Sequence, residues 1–274
     1  MPPRNNLQVY NDADVAAYYA ALNYLSPCER LLFETHIPKG SVILDLGVGG
    51  GRTTPFLSSR ASYYVGLDYS MSMVEQCHAK FPDLEFRVGD AADLSKFPDD
   101  QFDAVVFAYN GIDFVLPEGS RQSCWRHIYR VLKPGGTLIF SSHNARTVLA
   151  RPSWNLERLR AIALRLAPHW NSLRSLLLAG LILVRRVFAL GEACAATLVR
   201  AVRRLPTRSF RLGDGCRMDP AHGGLYTHYC VPTKVVDEVS LLNLRPLRIL
   251  GDDYPKSSHP LATDWYYYVF SKTV

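Results

Sequence analysis

The feature that most constrains this chain is a short apolar run that ends in a cluster of glycines. Residues 42–46 (Val-Ile-Leu-Asp-Leu) are typical of a buried strand in a parallel sheet, and Gly-Val-Gly-Gly-Gly follows at once. Glycines there let the backbone turn sharply and approach a ligand where a Cβ would collide. Because open α/β sheets bind ligands at the carboxyl ends of their strands, this segment predicts a site for a nucleotide-like cofactor.

Two common glycine-loop motifs do not fit the segment. The dinucleotide pattern G-x-G-x-x-G requires a third glycine at position 52, which is Arg52, and the phosphate loop requires a lysine that is absent. The segment instead resembles the first motif of the class I S-adenosylmethionine-dependent methyltransferases, Asp-x-Gly-x-Gly-x-Gly, through Asp45, Gly47, Gly49 and Gly51. Arg52 is predicted to be solvated or to start a helix, with contact to the cofactor carboxylate as the alternative.

A second strand is predicted at residues 63–68, and it ends in an acid. Asp68 lies about 20 residues beyond the first glycines, where Rossmann-like folds place a carboxylate that binds ribose. Its oxygens can accept hydrogen bonds from both ribose hydroxyls. The alternative is a helix cap, because Asp-Tyr-Ser precedes a helical pattern. Tyr69 is assigned to the same cofactor site.

Three further motifs follow in the order that the family has them. Residues 84–91 are typical of a third strand ending in Gly-Asp-Ala, and the resemblance implies that Asp90 and Ala91 face the adenine, with Asp93 as the alternative to Asp90. Residues 102–110 resemble the fourth strand, whose end brings Tyr109 to the cofactor. Residues 131–140 are read as a helix end, a Pro-Gly-Gly turn and the fifth strand.

The resemblance covers residues 10–145 continuously and the last fifty more loosely. It implies an α/β fold: a Rossmann-like, doubly wound, seven-stranded sheet with an antiparallel last strand, plus an inserted helical cap. The predicted units are a cofactor-binding core (1–145), a basic, mainly helical insertion (146–225) and the rest of the core (226–274). In the last unit we predict a helix and two strands, at 232–242, 247–252 and 265–271.

The insertion is set apart by its charge. Residues 146–211 contain thirteen arginines, two glutamates and no lysine, so they carry +11 and leave −5 on the remainder of a chain whose net charge is +6. Helical apolar spacing is present at 154–166 and 172–205, while the apolar run 176–184 is far short of the ~20 residues that a spanning helix needs. Three roles stay open: a cap packed on the core, a lid over the substrate, or a helix lying on an anionic membrane.

Composition excludes several classes of protein. Six cysteines without a C-x-x-C pair argue against a zinc site and against a disulfide framework, so no metal is predicted. The amino terminus lacks the apolar region of a secretion signal, and we expect a cytoplasmic protein, peripheral to the inner membrane face if the insertion binds lipid. Nucleic acid is a poor fit as partner, because aromatic residues are not interleaved with the arginines.

Methyl transfer requires a nucleophile held in line with the methyl group, and a hydroxyl nucleophile also needs a general base. Asn110 follows strand four and offers a donor and an acceptor; the Asn/Asp-Pro-Pro-Tyr signature of amino-methylating enzymes is absent. His143, after strand five, is the leading base, and His228 is the second candidate. Tyr18 and Tyr19 belong to an amino-terminal helix that closes over the cofactor in the family or, alternatively, packs on the core.

These observations predict S-adenosylmethionine as cofactor and a small or lipid-linked metabolite as acceptor, with a hydroxyl of a sugar or glycolipid favoured. The alternatives are N-methylation of a small amine, and a non-catalytic protein that binds the cofactor as a partner or regulator. A dinucleotide-dependent oxidoreductase is disfavoured by Arg52. The oligomeric state is left undetermined.

Overall fold

The computed structural model describes residues 6–146, 180, 184, 215–219, 225–255 and 263–273. Its centre is a seven-stranded sheet in the order β3-β2-β1-β4-β5-β9-β8, and a separate two-stranded sheet pairs β6 with β7. The strands are β1 Ser41–Leu46, β2 Ala61–Asp68, β3 Glu85–Val88, β4 Phe102–Phe107, β5 Leu132–His143, β6 Gly215–Asp219, β7 Leu225–Tyr229, β8 Leu244–Gly251 and β9 Trp265–Lys272.

Strands β1 to β5 run parallel, and β9 lies antiparallel between β5 and β8. β1 and β4 are buried on both faces, which explains why their sequences are apolar without alternation. The doubly wound sheet with an antiparallel last strand is therefore confirmed. Because β1, β2, β4 and β5 are parallel, their carboxyl ends meet at one edge, and this edge carries the glycine loop.

Helices cover both faces of this sheet. α3 and α5 pack on one face through Leu32, Phe33 and Val74, and α6 and α7 pack on the other through Trp125 and Val235. The helices are α1 Asn6–Tyr10, α2 Ala13–Ala20, α3 Pro27–His36, α4 Thr54–Ser58, α5 Met71–Lys80, α6 Glu118–Val131 and α7 Pro232–Ser240, and a 3-10 turn spans Gly111–Phe114.

Some predicted boundaries differ from the observed ones. β5 begins at Leu132, before the Pro-Gly-Gly turn, and its register against β4 shifts between Phe102 and Ala104, so the turn bulges within the strand. Gly135, with φ of +78°, makes this bulge possible. β8 begins at Leu244, three residues before the predicted start, because it follows α7 after a short turn at Asn243.

The end of the predicted insertion is extended and not helical. Residues 215–219 form β6, which pairs antiparallel with β7, so the predicted division at 225 falls at the start of a strand. Of the predicted helix at 172–205, Gly180 and Val184 are described and are helical; the predicted helix at 154–166 lies outside the described residues. Within the part of the chain that is described, no helix is both long enough and apolar enough to cross a bilayer.

Candidate functional site

A cavity of about 210 Å³ lies at the carboxyl edge of the sheet, under the amino-terminal helices. Ten residues that the sequence assigned to the site line it, namely Asp45, Gly47, Gly49, Asp68, Tyr69, Asp90, Ala91, Tyr109, Asn110 and His143. Gly51 and His228 were assigned too, but they do not line the cavity. All but these two of the predicted site residues therefore lie around one cavity.

The glycine loop owes its shape to left-handed backbone and to close packing. Gly49 has φ of +55°, and its N–H donates to Asp68 Oδ2 over 2.9 Å. A Cβ at Gly50 would stand 2.3 Å from the backbone nitrogen of Ala20, so α2 can rest on the loop only because position 50 is glycine. Gly51, with φ of +81°, packs against Phe81 behind the loop.

Asp45, on β1, holds the glycine loop against the sheet. Its buried carboxylate oxygen Oδ2 accepts hydrogen bonds from Thr53 Oγ1 at 2.7 Å and from the Tyr64 hydroxyl at 2.9 Å. Burial raises the pKa of Asp45 to about 6, against the effect of both hydrogen bonds. The first role of this carboxylate is therefore to tie the far end of the glycine loop to β1 and β2.

Asp68 faces the cavity with spare acceptor capacity. Oδ2 accepts the Gly49 N–H and Oδ1 accepts the Ser70 N–H, each at 2.9 Å, while the cap of α5 is Ser70 and not Asp68. The Tyr69 N–H acts on the same carboxylate, and the four lone-pair sites of a carboxylate still leave acceptor capacity for a ligand. Burial raises the pKa of Asp68 to about 6, although the backbone hydrogen bonds oppose that shift.

The far end of the cavity is formed after β2 and β3. The Tyr69 hydroxyl is buried there with no hydrogen-bond partner in the described structure, and Asp90 accepts the Ala92 N–H at 2.8 Å. Asp90 and the buried Ala91 line the cavity, whereas Asp93 does not. This places Asp90, and not its alternative, beside the space for a ligand.

Arg52 was predicted to be solvated or to start a helix, and this prediction is wrong. The side chain is 8% exposed, and its guanidinium donates to both carboxylate oxygens of Glu29, with Nη1 2.7 Å from Oε2. Nη1 also donates to the Tyr24 carbonyl, and the guanidinium lies 4.8 Å from the ring centroid of Tyr109. A sequence cannot show this pairing because Glu29 belongs to α3, across the loop.

We expect Glu29→Gln to lower the free energy of unfolding by about 3–5 kcal/mol, because it leaves the Arg52 charge buried and unpaired. Glu34→Gln is the control: Glu34 pairs with Arg30 on the same helix, but both side chains are at least half exposed, and the expected cost is below about 1 kcal/mol. Urea unfolding of both variants measures the difference. Equal losses would contradict the assigned role of the buried pair.

The turn after β4 is strained. Tyr109 and Asn110 are consecutive non-glycine residues with φ of +56° and +64°, a conformation that is uncommon and that clusters at functional sites. The Asn110 N–H donates to Ser141 Oγ at 2.7 Å, which holds the turn on β5. Its side-chain Nδ2 lies 3.2 Å from His143 Nε2, and its Oδ1 is buried with no hydrogen-bond partner in the described structure.

His143 is held by a buried acid that sequence reasoning did not assign. Asp113 Oδ2 accepts the backbone N–H of His143 at 2.6 Å and lies 2.9 Å from the ring nitrogen Nδ1. With the proton on Nδ1, the other ring nitrogen, Nε2, is an acceptor at the cavity wall. Burial alone would raise the pKa of Asp113, but His143 and the charge of Arg121 hold that pKa below its ordinary value.

His228 lies elsewhere. It is buried on β7 and does not line the cavity, although it is close enough to Asp113 for a positive charge on it to lower the pKa of that acid. Position therefore favours His143 over His228 as the predicted base. Among the described residues there is no group of three or more His, Cys, Asp or Glu side chains arranged to hold a metal ion.

The amino-terminal helices cover the cavity. The rings of Tyr10 and Tyr19 line it, 5.8 Å apart, while Tyr18 is partly exposed. Ser70 Oγ donates to the Tyr10 carbonyl, and Lys80 Nζ donates to the carbonyls of Ala20 and Gly50. These bonds fasten α1 and α2 to α5 and to the glycine loop.

Comparison with known proteins agrees with this geometry. Residues 43–136 match the family described as a methyltransferase domain. The fold is similar to the crystal structure of a SAM-dependent methyltransferase from Methanosarcina mazei, with a TM-score of 0.56, 17% identity, and coverage of 92% of this chain and 100% of that one. Residues 43–136 are therefore a methyltransferase domain. The predicted family and its cofactor, S-adenosylmethionine, are confirmed.

Curated relatives of this methyltransferase differ in their acceptors. This chain is 27% identical over 163 residues to trans-aconitate 2-methyltransferase of Variovorax paradoxus (strain S110). The matched residues cover 54% of this chain and 61% of that protein. Over 117 residues it is 32% identical to malonyl-[acyl-carrier protein] O-methyltransferase of Marinomonas sp. (strain MWYL1), covering 42% of each. The chain thus spans between two fifths and two thirds of the length of these relatives.

The residues of the methyltransferase fit S-adenosylmethionine. A Cβ at Gly49 would meet no atom nearer than 4.0 Å, so this face of the loop is open to a ligand. Asp68 retains acceptor capacity for ribose hydroxyls, and the buried Tyr69 hydroxyl and Asn110 Oδ1 on the cavity wall have no hydrogen-bond partner within the described part of the chain. These groups suit a polar ligand such as S-adenosylmethionine.

The pKa of Asp68 makes cofactor affinity dependent on pH. A neutral carboxylic acid accepts ribose hydroxyls less well than a carboxylate, and with a pKa of about 6 the free enzyme takes up a proton here between pH 7 and pH 5. We therefore expect the affinity for S-adenosylhomocysteine to fall about tenfold over this interval. Calorimetric titrations at the two pH values measure it. Any binding retained by Asp68→Asn should lack this dependence.

Proposed function

We propose that this methyltransferase transfers the methyl group of S-adenosylmethionine to a hydroxyl of a small acceptor, with His143 as the general base. The observation that carries the proposal is the contact between His143 Nδ1 and the buried Asp113 carboxylate at the cavity wall. A histidine held this way presents Nε2 as a proton acceptor. A hydroxyl that is to be methylated needs such a base, whereas a methyl acceptor that is already an ionised carboxylate does not.

The residues divide the work of the reaction. S-adenosylmethionine supplies an electrophilic methyl group on a sulfonium that is already a good leaving group. Asp68, Asp90 and the glycine loop hold it, while the rings of Tyr10 and Tyr19 help to keep water out. Asn110 positions the acceptor hydroxyl beside His143, and His143 Nε2 takes the proton of that hydroxyl; the cofactor would supply the methyl group from its sulfonium sulfur and leave as S-adenosylhomocysteine.

The nature of the acceptor is proposed from charge. Thirteen arginines between residues 146 and 211 favour an acceptor that carries phosphate or carboxylate, because guanidinium groups bind these anions in a bidentate manner. The same segment is rich in apolar residues, which suits a lipid-linked molecule. A sugar or glycolipid hydroxyl that bears a phosphate combines both properties.

The test is a transfer assay with S-adenosylmethionine labelled in the methyl group. Sugar phosphates and glycolipids are compared with amines and carboxylates of similar size, and products are identified by mass spectrometry and NMR. Label on an acceptor oxygen of a hydroxyl supports the proposal. Transfer to amines or carboxylates alone would contradict it, and cofactor binding with no transfer to any acceptor would favour a non-catalytic role.

A further inference from the structure

Arg121 is a buried cation that lies next to Asp113. It projects from α6 and is 2% exposed. Its Nη1 donates to the Ile112 carbonyl at 3.0 Å and to Asp113 Oδ1 at 3.2 Å, while Nε donates to Glu238 Oε2 on α7 at 3.4 Å. One side chain therefore joins two helices to the turn that carries Asp113.

The two oxygens of Asp113 are held by different partners. Oδ1 accepts from Arg121 and from Ser142 Oγ at 2.7 Å, and Oδ2 faces His143. With donors on both oxygens, the carboxylate cannot rotate without breaking hydrogen bonds. We propose that Arg121 is a positioning residue, which orients Asp113 so that His143 keeps its proton on Nδ1 and its Nε2 stays unprotonated, as a hydrogen-bond acceptor.

The proposal rests on the proposed function in one respect only, namely that Nε2 is the atom that receives the acceptor proton. Without Arg121, Asp113 would be a buried carboxylate with its charge uncompensated, and it would take up a proton more readily. A protonated Asp113 donates its O–H to Nδ1, and the histidine proton then moves to Nε2. In that state the ring offers a donor where the reaction needs an acceptor.

Other charged and titratable groups lie close to this assembly. On α7, Glu238 also lies 3.9 Å from Lys234, and on β7 the charge of His228 acts on Asp113. The Tyr229 ring is 5.2 Å from that of His143, and Cys230 interacts with Arg121. Arg121 joins Asp113 Oδ1 to α7 through its contact with Glu238.

The experiment is 15N NMR of the imidazole nitrogens in protein saturated with S-adenosylhomocysteine, together with kcat and KM. Arg121→Met is compared with the control Arg130→Met, which removes another arginine of α6. The Arg130 guanidinium binds Asp99 and the carbonyls of Leu94 and Phe97, away from the site. We expect Arg121→Met to shift the His143 proton from Nδ1 toward Nε2 and to lower kcat about tenfold or more with little change in KM. Arg130→Met should keep the Nδ1 proton and kcat.

A His143 that stays protonated on Nδ1 in Arg121→Met would overturn the proposal, as would equal shifts in both variants. If Arg121→Met does not fold, Arg121→Lys decides: an ammonium lacks the planar fork of donors, so a partial shift is expected and an unchanged spectrum would refute it. The NMR result stands apart from the proposed function. If His143→Gln proved fully active, the position of the proton would still show whether Arg121 controls the ring.

Discussion

Replacing Asp68 by alanine is expected to weaken S-adenosylhomocysteine binding roughly 10²–10⁴-fold, because two hydrogen bonds to a charged acceptor, each worth about 1.5–3 kcal/mol, are lost. The carboxylate lies at the end of β2, lines the cavity and is preorganised by the N–H groups of Gly49 and Ser70. Calorimetric titration of the intact protein and of the variant measures the difference.

Two variants separate binding from folding in this experiment. Asp68→Asn keeps an oxygen for the Ser70 N–H but replaces the second acceptor by a donor, so it should fold and still bind weakly. Asp93→Ala removes a nearby exposed acid that does not line the cavity and should bind normally. Full affinity in Asp68→Ala, or a loss in Asp93→Ala as large as that in Asp68→Ala, would contradict the assignment of Asp68 to ribose.

Replacing His143 by glutamine is expected to lower kcat about 10²–10⁴-fold while cofactor affinity changes little, because the variant loses the general base and keeps a polar side chain of similar reach. Asp113→Asn should lose activity too, since its amide no longer fixes the proton on Nδ1 of His143. The measurement is the rate of methyl transfer at saturating cofactor, with the hydroxyl acceptor identified by the transfer assay.

Two other histidines serve as controls. His78 is exposed on α5, so His78→Gln should keep full activity. His228→Gln should cost less activity than His143→Gln, because His228 lies on β7 and does not line the cavity. If His228→Gln were inactive and His143→Gln active, His228 would be the base. If neither mattered, the acceptor would not need a base, and an amine or carboxylate would be favoured.

The sequence was sufficient to predict the cofactor-binding residues that lie in the glycine loop and at the ends of the strands. An apolar strand, a glycine loop and an acid at the next strand end have fixed places in a parallel sheet, so Asp45, Gly49 and Asp68 were predicted with their surroundings. The central sheet followed for the same reason. The strand at 215–219 is not predicted, because it pairs with the neighbouring segment 225–229 in a separate two-stranded sheet and not with the core.

The residues that were missed act through space. Asp113 follows Asn110 by three positions, but nothing in the sequence indicates that it faces His143, thirty positions later. Arg121 lies in a helix of mixed polarity, where an arginine is ordinarily a surface residue. Arg52 was misjudged in the same way, because its burial depends on Glu29 across the loop. The periodicity of apolar residues predicts which face of a helix or strand is buried, but it does not predict which buried charged side chains pair with each other.

The fastening of α1 and α2 over the cavity has a consequence for kinetics. Tyr10 and Tyr19 form part of the wall, so a bound cofactor leaves when this segment lifts from Ser70 and Lys80. We therefore expect the residence time of the spent cofactor to depend on how often residues 6–20 open, and not only on the strength of its contacts with β1 and β2.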